Sequence, residues 1–508
     1  MTVDPERTPV IVAVGQSVSR DSSLGPLELA EAAAADALGA APALGGAIDS
    51  LLVVNMLSGR AGPRPASELA ARLGLSPRTA ATTTVGGSVP QWLVTRAATE
   101  IRKGRSAASL IVGGESLRTR RLRSGGAPHD AEPAAPATPA PDPILGTDRQ
   151  DLSDEERAAG LYVPVFVYPL FESVLASRAG RDPHAQRVFL GRLLAPLTLV
   201  ASRGAYSWFP EVRQPEELAS PSEDNRLVVE PYTKRMVAFL GSAQGAAIVV
   251  SSLAVARRLG LGDDVIFVWS GAGCDDVWYP VARPDLGRSA GAAAAGRAVL
   301  RAAGVGIDDV ELLDVYSCFP SALQMGAAAL GIVPDDGRTL TVTGGLPYFG
   351  GPGNDYSTHA IAEIVERLRV GGGGQGSNGR LGLVTAVGWY LTKHAVGLYG
   401  TEPPPSGFIP AETAAAQDRI DASALVYASL TESLDQEATV DASTVIYDRL
   451  GNPASAPVLA TLNDGRRVAA TAQLDELGSL AGRWLVGTRI AVRQAADGTP
   501  ARYRVIAA

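Results

Sequence analysis

Gly287–Val305 reads GRSAGAAAAGRAVLRAAGV, and the segments after it repeat, in order, a pattern met roughly 260 residues earlier. The alanine-rich helix matches PLELAEAAAADALGAA from Pro26. DDVELLDVYS from Asp308 matches IDSLLVVNML from Ile48, and ALQMGAAALGI from Ala322 matches ASELAARLGL from Ala66. LTVTGG from Leu340 pairs with TTTVGG from Thr82, THAIAEIVERL from Thr358 with LVTRAATEIRKG from Leu93, and GLVTAVG from Gly382 with SLIVGGE from Ser109. Matches in one consistent order argue against chance. Helices alternate with short apolar strands in both copies, which predicts α/β layering. The chain therefore reads as two fused α/β halves. Such a pseudo-twofold brings the equivalent glycine turns together between the halves, where ligands tend to bind.

Working outward, residues 1–116 and 232–262 are assigned to the first half and 263–400 to the second, with 117–231 inserted between them. Within the insertion, Ser124–Gly146 is rich in Pro and Ala without apolar periodicity and reads as an extended surface loop. Thr401–Pro410, TEPPPSGFIP, reads as the start of a stiff linker covering 401–421. From 422 to 508 the runs alternate, with Asp464-Gly465 and Asp497-Gly498 between them as hairpin turns. One short helix-like stretch, DELGSLAGRWL, interrupts them. A small all-β domain of OB-like, five-stranded type is the expectation.

The 508 residues carry 46% hydrophobic residues and a net charge of −8, which fits a folded chain without an electrostatic footprint for nucleic acid. No apolar run is long enough for a membrane span, and the acidic start MTVDPERTPV lacks a basic signal-peptide region. Only two cysteines are present, so no disulfide framework exists and a cytoplasmic location is expected. Of the 45 basic residues three are lysines, Lys103, Lys234 and Lys393.

The duplicated core, together with DVYSCFPSA (Asp314–Ala322), GGLPYFGGPGNDYSTHAIAEI (Gly344–Ile364), TAVGWYLTKHAVGLYG (Thr385–Gly400) and PYTKRM (Pro231–Met236), resembles the thiolase superfamily. The added C-terminal β domain makes it most similar to the thiolase-like protein type 1 group, relatives of the sterol-carrier-protein thiolases. The resemblance implies a duplicated five-layered α/β fold: two mixed sheets, outer helices, and buried helices between the sheets. It also implies acyl-CoA thioesters as substrate or ligand, without a separate cofactor. Thiolases transfer acyl groups through a cysteine, assisted by a histidine–asparagine pair and a second cysteine.

Here that catalytic pattern breaks. The nucleophile position falls on Gly87 in VGGSVP, the histidine of the GHP turn on Gly351, and the second cysteine on Ala386. The Asn-Glu-Ala-Phe or His-Asp-Cys-Phe loop corresponds to Tyr316-Ser317-Cys318-Phe319. A glycine can offer an N–H to an oxyanion, but it cannot attack a thioester.

The substitute catalytic set expected from sequence is Cys318, His359, Tyr316 and Ser317. Cys318 would be acid/base or acyl acceptor, and His359, opening a helix with Ser357 as N-cap, would replace the lost histidine. Gly87, Gly351 and Gly388 would supply backbone donors, while Lys234, His394, Gly86 and Ser88 would bind substrate. Against each stands a plainer structural role: buried small hydrophobe for Cys318, backbone-bonded helix start for His359, turn capping for Tyr316 and Ser317. Arg118–Arg123, RTRRLR, is a further phosphate candidate. His129 reads as an exposed loop residue, and no His/Cys spacing suits zinc, so no metal is expected.

Two functions remain open on these residues. One is acyl transfer on acyl-CoA by this non-standard set. The other is a catalytically silent protein that binds an acyl-CoA or lipid, or supports a partner. A homo-oligomer or a partner protein fits either.

Overall fold

The computed structural model describes residues 4–20, 24–58, 62–117, 140–333, 337–371 and 379–506. In chain order, the first half contributes strands β1 (Pro9–Val18), β2 (Ser50–Val53), β3 (Thr79–Thr83) and β4 (Ala108–Ser116). The insertion adds β5 (Ile144–Leu145) and β6 (Leu227–Val229), after which β7 (Tyr232–Thr233) and β8 (Ala243–Ser252) belong to the returning first half. The second half holds β9 (Ile266–Asp275), β10 (Leu312–Asp314), β11 (Leu381–Gly388) and β12 (Lys393–Gly400), with β13 (Ile409–Pro410) beside it.

The halves carry the same pairing scheme. In the first, β4 lies parallel to β2 and antiparallel to β8, which pairs β1. In the second, β11 lies parallel to β10 and antiparallel to β12, which pairs β9. The two sheets meet where Val10 and Ile11 of β1 pair with Phe267 and Ile266 of β9. Strands β4, β8, β11 and β12 are buried along their whole length, as strands covered on both faces must be.

Helices Val89–Arg102 and Tyr356–Val370 touch each other and strands of both halves, so they form the middle layer. Outside, helix Pro26–Leu38 covers the first sheet and helix Ala290–Ala303 the second. Their alanine faces, Ala30, Ala33, Ala34 and Ala37 in one and Ala294, Ala295 and Ala298 in the other, are buried and let backbone approach backbone. This is the duplicated five-layered arrangement.

Three local expectations need correction. LTVTGG, expected to match β3, forms no strand. The buried Asp314 carboxylate accepts from Val342 N–H at 3.1 Å and Thr343 N–H at 3.2 Å, and from the Thr341 hydroxyl at 2.8 Å. Donors that a strand would use are taken by a side chain. Ser124–Gly146 falls largely outside the described residues, but its end is not loop: Ile144–Leu145 adds parallel to β3. Residues 401–421 do not run free either. Phe408 is buried, β13 pairs with β9, and helix Ala414–Ala422 docks on that strand through Gln417, whose Oε1 accepts from Asp275 N–H at 2.7 Å.

The C-terminal segment closes a five-stranded barrel from β14 (Leu434–Ser443), β17 (Pro457–Leu462), β18 (Arg467–Ala472), β19 (Arg489–Gln494) and β20 (Ala501–Val505), with β15 (Ile446–Tyr447) and β16 (Pro453–Ser455) outside it. Counted within the barrel the order is 1-2-3-5-4, with strands 3 and 5 parallel, the OB-like arrangement expected. Gly465 and Gly498 take φ of 85° and 83° at the two Asp-Gly turns. The barrel has its own core around Val440, Val458, Ile490 and Tyr503. It is nevertheless tied to the insertion: β15 pairs with β6, and the Glu230 carboxylate takes Arg187 at 2.8 Å and the Tyr447 hydroxyl at 3.1 Å.

Candidate functional site

The turn Val85–Ser88, leading into helix Val89–Arg102, is held from the second half at three backbone polar groups. Gly86 N–H donates to Asn354 Oδ1 at 2.9 Å, and the Asn354 amide donates onward to the Asn55 carbonyl at 2.9 Å. The Val85 carbonyl accepts from Lys393 Nζ at 2.7 Å, and the Gly87 carbonyl from the Ser357 hydroxyl at 2.9 Å. Gly86 sits at φ 152°, where side chains are strained, and a Cβ there would lie 2.9 Å from Lys393 Nζ.

Gly87 is the decisive position. A Cβ on it would run into the Tyr316 hydroxyl, 3.0 Å from that ring's Cζ and 2.6 Å from the Val387 carbonyl oxygen. Tyr316 is buried, its ring edge-on to Tyr356 at 5.4 Å and its N–H bonded to the Thr385 hydroxyl at 2.9 Å. A side chain at 87 therefore has neither room nor a replaceable neighbour on the carbonyl side. Ala386, where the resemblance puts the second cysteine, lines with Tyr316 a void of only about 10 Å³.

Of the expected catalytic set, Tyr316 reaches this turn, while His359 and Ser317 make their contacts elsewhere. Burial pushes the Cys318 thiol up to about 12, and its neighbour is the Tyr168 hydroxyl. That hydroxyl is itself engaged, donating to the Trp389 carbonyl at 2.9 Å. His359 is fully buried and faces β1, where Nδ1 meets Gln16 Oε1 at 2.7 Å; burial pushes its pKa down to about 3. Its Nε2 has no hydrogen-bond partner, so no hydrogen bond joins the ring to Cys318. The reason is helical phase. Ser357, expected as a cap, lies inside helix Tyr356–Val370 and takes the face toward Gly87, leaving His359 turned to the first sheet. The Ser317 hydroxyl is buried without a hydrogen bond, packed toward Gly345.

Gly351 cannot serve as an oxyanion donor, because its N–H is spent on the Phe239 carbonyl at 2.9 Å. Gly388 packs against Ser88 and Lys393 instead of opening a cradle: a Cβ on it would lie 2.9 Å from Ser88 Oγ and 3.1 Å from Lys393 Cε. Lys234 is exposed in a short turn beside the insertion. His394 is buried in another cluster, its Nε2 within 3.0 Å of Asp276 Oδ2, Ser289 Oγ and the Leu391 carbonyl. A single ring nitrogen meets all three, so this is not a charge-relay triad, in which the two nitrogens divide serine and carboxylate. Arg118–Arg123 and His129 lie outside the described residues. Among the described residues no group of His, Cys, Asp and Glu gathers in a way that could hold a metal ion.

Sequence reasoning missed Asn354, Ser357 as a turn ligand, Asn55 and above all Lys393. Burial pushes the Lys393 amine down from its usual range, and it is 5.7 Å from the Trp389 ring centroid. The rarity of lysine in this chain and the Asn-Asp pair after GGPG were the available signals.

No protein-family model matches the chain, and no curated protein does. Among solved structures it is similar to a monomeric SCP2-thiolase-like protein type 1 from Mycobacterium smegmatis, at 30% identity and TM-score 0.83 over 99% of this chain and 100% of that one. It is also similar to the dimeric peroxisomal thiolase of Saccharomyces cerevisiae, at 17% identity and TM-score 0.58 over 79% and 99%. A human mitochondrial 3-ketoacyl-CoA thiolase in complex with CoA gives 16% identity and TM-score 0.57 over 79% and 100%. These last two show the fold alone, whereas the first runs through the barrel as well. With the duplicated core, the insertion and the barrel all shared at that identity, the chain belongs to the SCP2-thiolase-like protein type 1 family of the thiolase superfamily.

Proposed function

We propose that this chain binds an acyl-CoA or related acyl thioester and carries out no cysteine-based acyl transfer on it. The observation that carries the reading is the closed Gly87 position, where the Tyr316 hydroxyl and the Val387 carbonyl fill the space of an attacking side chain. The thiol of Cys318, held protonated by burial, and the neutral His359 turned toward Gln16 support the same conclusion. Acyl thioester binding is supported by membership of a thiolase-like family and by the CoA held in the human thiolase of the same fold. The thioester is then ligand, with no resident cofactor, and a partner protein or a second copy would use the bound form. The two free cysteines suit the cytoplasm.

A second reading, acyl transfer by another nucleophile, is favoured by one observation: the buried Lys393 amine beside Ser88 and the Gly86–Gly87 turn. A desolvated lysine is an activated nucleophile.

Calorimetric titration with CoA and octanoyl-CoA, combined with a thiol-release assay, tests both. The expected result is binding without release of CoA above the protein-free rate. Absence of binding at about 1 mM, which bounds the free energy near −4 kcal/mol, overturns the acyl thioester reading. Release that disappears in Cys318→Ala overturns the silent reading, and release that disappears in Lys393→Arg establishes the second.

A further inference from the structure

We infer that the outer helical layer of the second half carries an anion-binding cleft that takes a phosphorylated small molecule with an apolar body. The cleft holds about 670 Å³, within the size range of small-molecule sites, and lies between helices Ala290–Ala303, Pro320–Ala329 and Ala414–Ala422. Arg288, Arg297 and Arg419 stand around it. Past Arg297 and Arg419 a second hollow of about 370 Å³ follows, bordered by Arg301 and Glu412.

Arginines on this protein are commonly taken up by carboxylates: Arg72 by Glu68, Glu31 and Glu28, Arg380 by Glu311, Arg466 by Glu432 and Asp464. Among the described residues Arg288, Arg297, Arg301 and Arg419 have no such partner. The acids of the main cleft are already engaged. Asp285 pairs with Arg178 at 2.7 Å, and Asp276 accepts from the N–H groups of Ala290 and Gly291 and from Ser289 and His394. Asp276 thereby caps the helix, so the cations, not the helix end, make the site. Arg297 and Arg301 stand four residues apart on one helix, a like-charge spacing that destabilises until an anion lies between. Guanidinium forks match phosphate oxygens in geometry and charge. Met325, Ala328, Ala329 and Ile420 form an apolar wall on which the rest of a ligand would rest.

The phosphate groups could belong to the CoA moiety of an acyl thioester or to a free nucleotide, and calorimetry with ADP, pyrophosphate and CoA as separate probes distinguishes these sources. Wild type is compared with Arg297→Glu/Arg419→Glu and with Arg258→Glu, a charge reversal of an exposed arginine on another helix. Far-ultraviolet circular dichroism of each variant confirms that it is folded. The expected result is ADP or pyrophosphate binding that weakens with salt, falls at least about ten-fold in the double variant, and is unchanged in Arg258→Glu. CoA binding lost together with ADP binding supports the cleft as the site of the CoA phosphates. CoA binding kept while ADP binding is lost supports the cleft as a nucleotide site and leaves the acyl thioester reading its own site. Failure of both ADP and pyrophosphate to bind at millimolar concentration overturns the cleft, even where CoA still binds. Wild-type affinity in the double variant overturns it equally.

Discussion

Gly87→Ala should destabilise the α/β core by about 3 kcal/mol, at the upper end of the usual cost of overpacking a core. In the native backbone the new methyl carbon would run into the Tyr316 hydroxyl and lie 2.6 Å from the Val387 oxygen. Carbon–carbon or carbon–oxygen contacts in a packed interior sit near 3.5 Å, so one of the partners must move. The carbonyl belongs to β11, where Val387 pairs with His394 of β12, and cannot swing aside alone. Tyr316 is held by Tyr356 on one side. Tyr316→Phe removes the hydroxyl but not the carbonyl, so it should return only part of the loss, about 1 kcal/mol of coupling between the two positions. Urea unfolding of wild type, both single variants and the double variant measures this directly. The barrel has its own core, so the transition compared is that of the α/β core. Equal stability of wild type and Gly87→Ala would refute the closed site. So would a penalty identical with tyrosine or phenylalanine at 316.

Other perturbations probe the remaining parts. Glu230→Ala strands the largely buried Arg187 and releases Tyr447, and should cost about 3 kcal/mol, read as earlier proteolytic separation of the barrel from the insertion. Burial raises the Glu156 carboxyl to about 7, so the folded state binds the proton more tightly than the unfolded one. Its stabilising contribution is therefore complete below about pH 4.5 and is lost as pH rises through about 7; melting temperatures from pH 5 to 8 should fall less steeply in Glu156→Gln than in wild type. Cys318, with its thiol near 12, should resist iodoacetamide at pH 8 in the native protein and react after denaturation, as intact mass would show.

The duplication was legible because each half repeats helix and strand patterns set by local residues, and the barrel because Asp-Gly turns fix hairpins locally. LTVTGG was misread because its fate depends on Asp314, a buried carboxylate that competes for its N–H groups. Thr401–Pro410 carries linker composition, yet Phe408 and Ile409 find the edge of the second half. In the site, the family resemblance put the nucleophile position at Gly87 and Tyr316 in a neighbouring loop. That the tyrosine hydroxyl fills the glycine's vacated space is a contact between residues far apart in the chain, and no spacing rule reveals it. The same holds for His359, whose neighbour is Gln16 on the first strand.

On the proposed function, the closed Gly87 turn leaves this thiolase-fold centre unable to accept an acyl group. Intact-mass spectrometry of the purified protein after incubation with acetyl-CoA and octanoyl-CoA, followed by peptide mapping, addresses it most directly. An unmodified mass with both thioesters is the predicted result; an acyl adduct on Cys318, Ser88 or Lys393 would contradict it.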